Sequence, residues 1–95
     1  MEEEFAKTHD LKIWPTYFGA ILNGDKTFEL RKDDRGFHLG DTLHLREYYL
    51  PEEKYTGRYI QAVVTHIYKG EMVANGYCAM SFKITAASTL EREEP

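Results

Sequence analysis

The chain has 95 residues and a mass of 11.1 kDa, which suffices for one small domain but not for two hydrophobic cores. Hydrophobic residues make up 42% of the chain and charged residues 29%, values typical of globular proteins that argue against disorder. The single cysteine, Cys78, excludes an intramolecular disulfide and a zinc site built from several cysteines.

The net charge of −4 is concentrated at the two ends of the chain. Glu2 to Glu4 contribute −3 and residues 91–94 contribute −2, which leaves +1 for residues 5–90. We therefore predict one domain at residues 8–87 between acidic flexible tails at residues 1–7 and 88–95. A nearly neutral domain can contain a local basic cleft, but its charge excludes strong nonspecific binding to the phosphate backbone of nucleic acids.

No targeting or metal-binding pattern is visible. No apolar run approaches the ~20 residues of a membrane helix, and the Glu-rich N-terminus is unlike a signal peptide. We expect a cytoplasmic monomer that does not associate with a membrane. His9, His38, His44 and His66 lack the spacing of metal ligands, so we expect neither a bound metal nor a cofactor.

The first elements along the chain are a strand and a short helix. Alternating apolar and polar residues from His9 to Trp14 predict a half-buried strand. Pro15 suits the first turn of a helix, which ends at Asn23-Gly24. Its apolar residues follow at helical spacing, namely Tyr17, Phe18, Ile21 and Leu22.

The rest of the chain has the pattern of strands joined by turns. Four segments alternate or are rich in β-branched and aromatic residues, namely Lys26–Lys32, Thr42–Leu50, Arg58–Lys69 and Tyr77–Thr85. The expected inward side chains include Leu43, Leu45, Tyr49, Cys78, Met80, Phe82 and Ile84. We therefore predict an α+β, mainly β fold, a small and partly closed β-barrel with one helix after the first strand.

The densest polar stretch runs from Asn23 to Arg35. Glu29 and Arg31 share one face of a predicted strand, so that a carboxylate and a guanidinium can address one planar ligand such as a base edge. Lys26 lies at the mouth of this strand, where its long side chain can bend to the same face. An ion pair that only orders the following turn is an equally open interpretation.

The same segment resembles the signature of a known family. Gly24-Asp-Lys26-Thr-Phe-Glu29-Leu-Arg31 resembles the G-x-K-x-x-E-x-R motif of ASCH domains, which belong to the PUA-like superfamily. More narrowly, the chain from about His9 to Lys83 is similar to the DUF3850 group of small bacterial and phage proteins. The blocks that carry this likeness are 9–18, 26–35, 39–41, 55–58, 64–65, 76–77 and 80–81.

This resemblance implies a PUA-like barrel with a helix beside a cleft that binds RNA or a nucleotide. Lys26, Glu29 and Arg31 would form the floor of the cleft. Lys26 offers a charge for a phosphate or carbonyl oxygen, and Glu29 can accept a hydrogen bond from an exocyclic amine. Arg31 can hold Glu29 in place or grip a phosphate with two hydrogen bonds.

Four further residues are candidates for ligand binding. Trp14 and Tyr17 could stack on a base, and Lys32 and Arg58 could add positive charge. Core packing beside the helix is the favoured interpretation of Trp14, and Tyr17 could instead be a staple at the helix start. Arg58 follows a glycine that would allow close approach of a ligand, or it is a solvated residue at the start of a strand.

Two other functions remain open from the sequence. Some ASCH proteins are amidohydrolases that remove an acyl group from a modified cytidine, and the signature lysine matches Lys26. The position of the expected threonine nucleophile is occupied by Glu29 here, and Thr27, next to Lys26, should point to the opposite face of the strand. Glu71 is the most plausible match for the glutamate of that active site. The candidate catalytic residues, if the protein is an enzyme, are therefore Lys26 and Glu29. The other alternative is a protein-interaction module without a nucleotide ligand.

Overall fold

The computed structural model describes residues 6–91, which contain five strands and one helix. The elements follow the chain as β1 (Thr8–Ile13), α1 (Pro15–Leu22), β2 (Phe28–Lys32), β3 (Thr42–Tyr49), β4 (Lys54–Tyr68) and β5 (Tyr77–Ser88). No helix within this part of the chain is both long and apolar enough to cross a membrane. The predicted α+β, mainly β fold with one helix after the first strand is confirmed.

The five strands form one sheet in the order β1-β3-β4-β5-β2. The pair β1 and β3 is parallel, and the other three pairs are antiparallel. The sheet curls into a half-barrel, so that its edge strands β1 and β2 approach each other. Side chains cross this β1–β2 seam: Arg31 Nη2 donates to the Lys12 carbonyl at 2.7 Å, and Arg35 Nη1 donates to the Asp10 carbonyl at 3.0 Å.

The hydrophobic core fills the inside of the curled sheet. Alternation along β3 buries Leu43 and Leu45, and α1 lies over the core with Phe18 and Ile21 fully buried. Other strands and the loop before β3 complete the cluster with Leu11, Ile13, Phe37, Ile60, Val64, Cys78 and Met80. One helix face and alternate strand positions therefore supply the apolar surface that drives folding.

Two positions predicted to face the core are largely exposed. Tyr49 is 40% exposed and is the last residue of β3, next to the turn that leads into β4. Ile84 is 39% exposed although it pairs with the buried Ala62 of β4. Both residues lie beyond the last buried residue of their strand, which is Glu47 in β3 and Met80 in β5.

The described strands extend close to the predicted domain limits. The Lys7 N–H donates to Asp41 Oδ1 at 3.0 Å, and its carbonyl accepts the Thr42 N–H at 2.8 Å. At the other end β5 continues to Ser88. Most of the predicted acidic tails, residues 1–5 and 92–95, lies outside the described residues.

Candidate ligand-binding cleft

Strand β2 buries a charged side chain and exposes apolar ones. Glu29 is 4% exposed, whereas its neighbours Phe28 and Leu30 are 49% and 55% exposed. A strand normally places its apolar face inside, since burying a carboxylate is costly unless the carboxylate is paired. Because β2 has this reversed pattern, its buried face does not contribute to the hydrophobic core in the usual way, which makes it a candidate for a functional site.

Two cations compensate the buried charge of Glu29. Lys26 Nζ donates to Oε1 at 2.7 Å, and Arg31 Nε donates to Oε2 at 2.6 Å. Both hydrogen bonds are short, as hydrogen bonds between charged groups are. Each carboxylate oxygen has two lone pairs, so Glu29 can accept further hydrogen bonds. We call these three residues the Lys26–Glu29–Arg31 cluster.

The turn after α1 positions Lys26 within this cluster. Gly24 has a φ of +88°, a conformation that glycine adopts without strain, and it turns the chain back toward the helix. The Lys26 N–H then donates to the Ala20 carbonyl at 2.9 Å. Since β2 begins only at Phe28, strand alternation does not direct the Lys26 side chain, and its ammonium group reaches Glu29.

The cluster lies in a cleft of about 630 Å³ beside the β1–β2 seam. The residues that line it come from the end of β1, the start of α1 and the segment that contains β2. Six of the seven ligand-binding residues expected from the sequence lie here together, namely Trp14, Tyr17, Lys26, Glu29, Arg31 and Lys32. The structure therefore brings almost the whole expected set to one surface.

Four lining residues were not expected, namely Lys12, Ile13, Phe28 and Leu30. Lys12 was missed because only the sheet order, with β1 and β2 at opposite edges of a curled sheet, places it opposite β2. Its position on the polar side of an alternating strand was the available signal.

The two aromatic candidates at the start of α1 are accessible. Trp14 is 42% exposed and Tyr17 is 49% exposed. The interpretation of Trp14 as a core residue is therefore wrong. Trp14 precedes the helix with extended backbone (φ −70°, ψ 151°), and its side chain lines the cleft instead of packing under α1. The ring of Tyr17 lies 5.3 Å from Lys26 Nζ.

The cleft is positively charged although the chain is acidic. Its lining includes the cations Lys12, Lys26, Arg31 and Lys32 and one carboxylate, that of Glu29, which gives an excess of three positive charges. Charges of one sign in a concave site raise the local concentration of oppositely charged ligands. Together with the exposed rings, this arrangement suits an anionic ligand with a planar aromatic part.

Arg58 is the expected ligand-binding residue that lies elsewhere. Its Nη1 lies 3.6 Å from Oε1 of Glu47, a carboxylate that is 4% exposed, and its guanidinium stacks 4.7 Å from the Phe18 ring centroid. Thr56 Oγ1 donates to the same oxygen of Glu47 at 2.8 Å. Arg58 therefore neutralises a second buried carboxylate under α1.

Asp41 belongs to a buried polar cluster outside the cleft lining. Its Oδ2 lies 2.7 Å from His9 Nε2 and accepts the His38 N–H at 3.0 Å, while Oδ1 accepts the Lys7 N–H. Burial raises the pKa of Asp41, but the hydrogen bonds from Lys7, His9 and His38 together outweigh burial and hold this pKa below its usual value. The cluster ties β1 to the loop before β3.

The remaining chemically reactive candidates do not form a site with the cleft. Cys78 is fully buried, which confirms its interpretation as a core residue, and burial raises the pKa of its thiol. Within residues 6–91, no group of three or more His, Cys, Asp or Glu side chains is arranged to hold a metal ion. Glu71 is exposed in the loop between β4 and β5, apart from the cleft lining.

The fold and the cleft describe a small, mainly β protein with a cationic, aromatic-lined site. The family model described as "Domain of unknown function (DUF3850)" matches residues 8–82. The chain therefore belongs to the DUF3850 family, as the resemblance predicted.

One curated protein is also similar to this chain. It is the "Uncharacterized 12.9 kDa protein in GpA 3'region" of Escherichia phage P2, which is 40% identical over 62 residues. The aligned segment covers 65% of this chain and 55% of the phage protein, so the match spans little more than half of that relative.

Proposed function

We propose that this protein binds RNA or a nucleotide-type ligand in the cleft floored by the Lys26–Glu29–Arg31 cluster. The observation that carries the proposal is the buried Glu29, held by two cations at the floor of a cleft rimmed by exposed aromatic rings. The resemblance of residues 24–31 to the ASCH signature supports the same ligand class. It also supports our placement of the chain in the PUA-like superfamily.

The cations of the cleft would bind the phosphate of the ligand. Arg31 uses Nε for Glu29 and Nη2 for the Lys12 carbonyl, which leaves other N–H groups of its five for a ligand. Lys12, Lys26 and Lys32 add ammonium groups around the same space. Because these cations already line one cleft in the free protein, we expect phosphate binding to require little rearrangement.

The rings and Glu29 would bind the base. Trp14 and Tyr17 offer apolar surfaces on which any base can stack. The free lone pairs of Glu29 suit the exocyclic amine of cytosine, adenine or guanine, which uracil lacks. We therefore expect weaker binding of uridine ligands than of cytidine ligands, and Glu29→Gln should reduce this difference.

We further propose that the protein acts as a cytoplasmic monomer. The cations and rings proposed to bind the ligand line one cleft. RNA and free nucleotides are cytoplasmic ligands. Analytical ultracentrifugation with and without an oligonucleotide measures the mass of the protein in solution and tests whether it is a monomer.

Trp14 allows a direct test because it is the only tryptophan of the chain and it lines the cleft. Its fluorescence should change on titration with cytidine monophosphate. Lys26→Ala should weaken binding by roughly 10-fold or more, the usual effect of losing a hydrogen bond from a charged group. Lys83→Ala removes an exposed lysine from β5 and should leave the affinity unchanged. Equal affinities of both variants would contradict the proposal.

The same experiment separates the two rival functions. N-acylated cytidine should bind and remain intact, so release of free acid that depends on Lys26 would show an amidohydrolase instead. A protein-interaction module would leave Trp14 fluorescence unchanged with every nucleotide and would tolerate substitution of Glu29, apart from a loss of stability.

A further inference from the structure

A row of aromatic rings leads away from the cleft on the outer side of the sheet, opposite the core. The ring of Trp14 lies 6.0 Å from that of Tyr48, which lies 5.0 Å from that of Tyr55. Tyr48 on β3 and Tyr55 on β4 are direct partners in the sheet register. The rings therefore cross from the start of α1 over β3 to β4 without a gap.

Two cations accompany this row of rings. Lys12 Nζ lies 4.3 Å from the centroid of the Tyr48 ring, and the Arg46 guanidinium carbon lies 3.7 Å from that of Tyr55. Lys12 and Arg46 are neighbours in the pairing of β1 with β3. Asp10 contacts Arg46 at 3.3 Å through an exposed ion pair, which is weak and open to competition by a phosphate.

These five residues, Trp14, Tyr48, Tyr55, Lys12 and Arg46, form what we call the cation–aromatic track. Lys12 and Trp14 belong both to the track and to the cleft lining, so the two surfaces are continuous. Cross-strand aromatic pairs stabilise many sheets, and stability alone would account for Tyr48 with Tyr55. It does not account for a row of rings and cations that begins at a positively charged cleft.

We propose that the track binds the nucleotides that flank the one in the cleft, so that the ligand is a single-stranded oligonucleotide. This inference rests on the proposed function of the cleft. The track places three neighbouring rings beside two cations, which supply contacts for bases and for phosphates. Single-strand binding surfaces combine both features. A duplex is excluded from such a track because its bases are already stacked on one another.

The test compares the affinities of cytidine monophosphate and of a short single-stranded oligoribonucleotide by calorimetry. The wild-type protein should bind the oligonucleotide at least about 10-fold more tightly. Tyr48→Ala should lower the oligonucleotide affinity about 5-fold or more, within the range for the loss of one stacked base. Arg46→Gln should also weaken it and reduce the salt dependence by about one ion. Neither variant should change binding of the mononucleotide.

Control variants and ligands separate the track from the cleft. Tyr68→Ala and Lys83→Ala alter exposed residues of β4 and β5 outside the track and should bind the oligonucleotide as the wild type does. Equal affinities for mononucleotide and oligonucleotide, or equal binding of a duplex, would overturn the track while leaving the cleft intact. If the wild-type protein binds neither the mononucleotide nor the oligonucleotide, the proposed function of the cleft is wrong. DNA of the same sequence, compared with RNA, identifies which polymer the track prefers, and tight binding of either supports it.

If Tyr48→Ala does not fold, Arg46→Gln decides the question. Its side chain is partly exposed and its partner Asp10 is exposed, so its loss leaves the core unchanged. An unchanged oligonucleotide affinity in folded Arg46→Gln would contradict the track.

Discussion

Arg31 Nη2 donates a hydrogen bond of 2.7 Å to the carbonyl of Lys12, across the β1–β2 seam. The same guanidinium holds Glu29 through Nε at 2.6 Å. One side chain therefore joins the two edges of the sheet and fixes the carboxylate at the floor of the cleft. Stability of the half-barrel and formation of the site are coupled at this residue.

Arg31→Lys should lower the free energy of unfolding by roughly 1–3 kcal/mol, because one ammonium cannot replace both hydrogen bonds and Glu29 is buried. Arg35→Lys is the matched control, since Arg35 also bridges the seam, to the Asp10 carbonyl, but is exposed. We expect this variant to lose less than about 1 kcal/mol. Urea denaturation measures both variants, and an equal loss would contradict the coupling.

Asp41 makes stability dependent on acid pH. Its folded-state pKa lies below the ordinary value of 3.8, so its contribution is fully present above that value. As the pH falls below about 3.8 and through the lower folded-state pKa, the carboxylate is protonated and the contribution is lost. Asp41→Asn should therefore be less stable than the wild type by roughly 1–3 kcal/mol at neutral pH.

The difference between the wild type and Asp41→Asn should shrink as the pH falls below 4, measured by urea denaturation over a pH series. Asp34→Asn is the control, because this carboxylate is 57% exposed and its contact with Arg35 is 3.9 Å long. A difference that stays constant with pH would show that the ionised form of Asp41 contributes nothing.

Trp14→Ala should separate binding from stability. The side chain is 42% exposed and makes no capping hydrogen bond to α1, so we expect a loss of less than about 1 kcal/mol in stability. Loss of its stacking surface should weaken nucleotide binding roughly 5- to 150-fold. Calorimetric titration and thermal unfolding measure the two effects. A large loss of stability with unchanged affinity would show that Trp14 stabilises the fold and does not bind the ligand.

Cys78 should be unreactive in the folded protein. Burial raises the pKa of its thiol most, and the negative charge of Asp33 raises this pKa further, while the positive charge of Lys69 lowers it. The protonated and inaccessible thiol should react with an alkylating reagent at least about 100-fold more slowly in native protein than in urea. Similar rates in the two states would indicate that β5 opens readily.

Local sequence patterns predicted much of the fold. Pro15 and the pair Asn23-Gly24 marked the ends of α1 within about a residue, because backbone conformation at these positions depends on local chemistry. Alternation identified β1 and β3. It failed at Tyr49 and Ile84, since alternation shows which side of a strand a residue faces but not how far along the strand the core extends.

The sequence predicted those residues of the cleft that lie close together in the chain, but not those that the fold brings together. Lys26, Glu29 and Arg31 lie within one segment, so their spacing alone indicated a cluster. Lys12 joins them only because the sheet curls and brings its edges together. Arg58 pairs with Glu47 across a bulge, and no spacing in the sequence indicates that contact.

A backbone amide NMR titration tests the central claim most directly. Short single-stranded RNA and mononucleotides would be added at one fixed, moderate salt concentration to protein with assigned resonances. We predict that the shifted amides cluster at residues 24–35 and around Trp14, and that Lys26→Ala loses these shifts at the same ligand concentration. Shifts confined to other surfaces, or none with any ligand, would contradict a nucleotide-binding cleft.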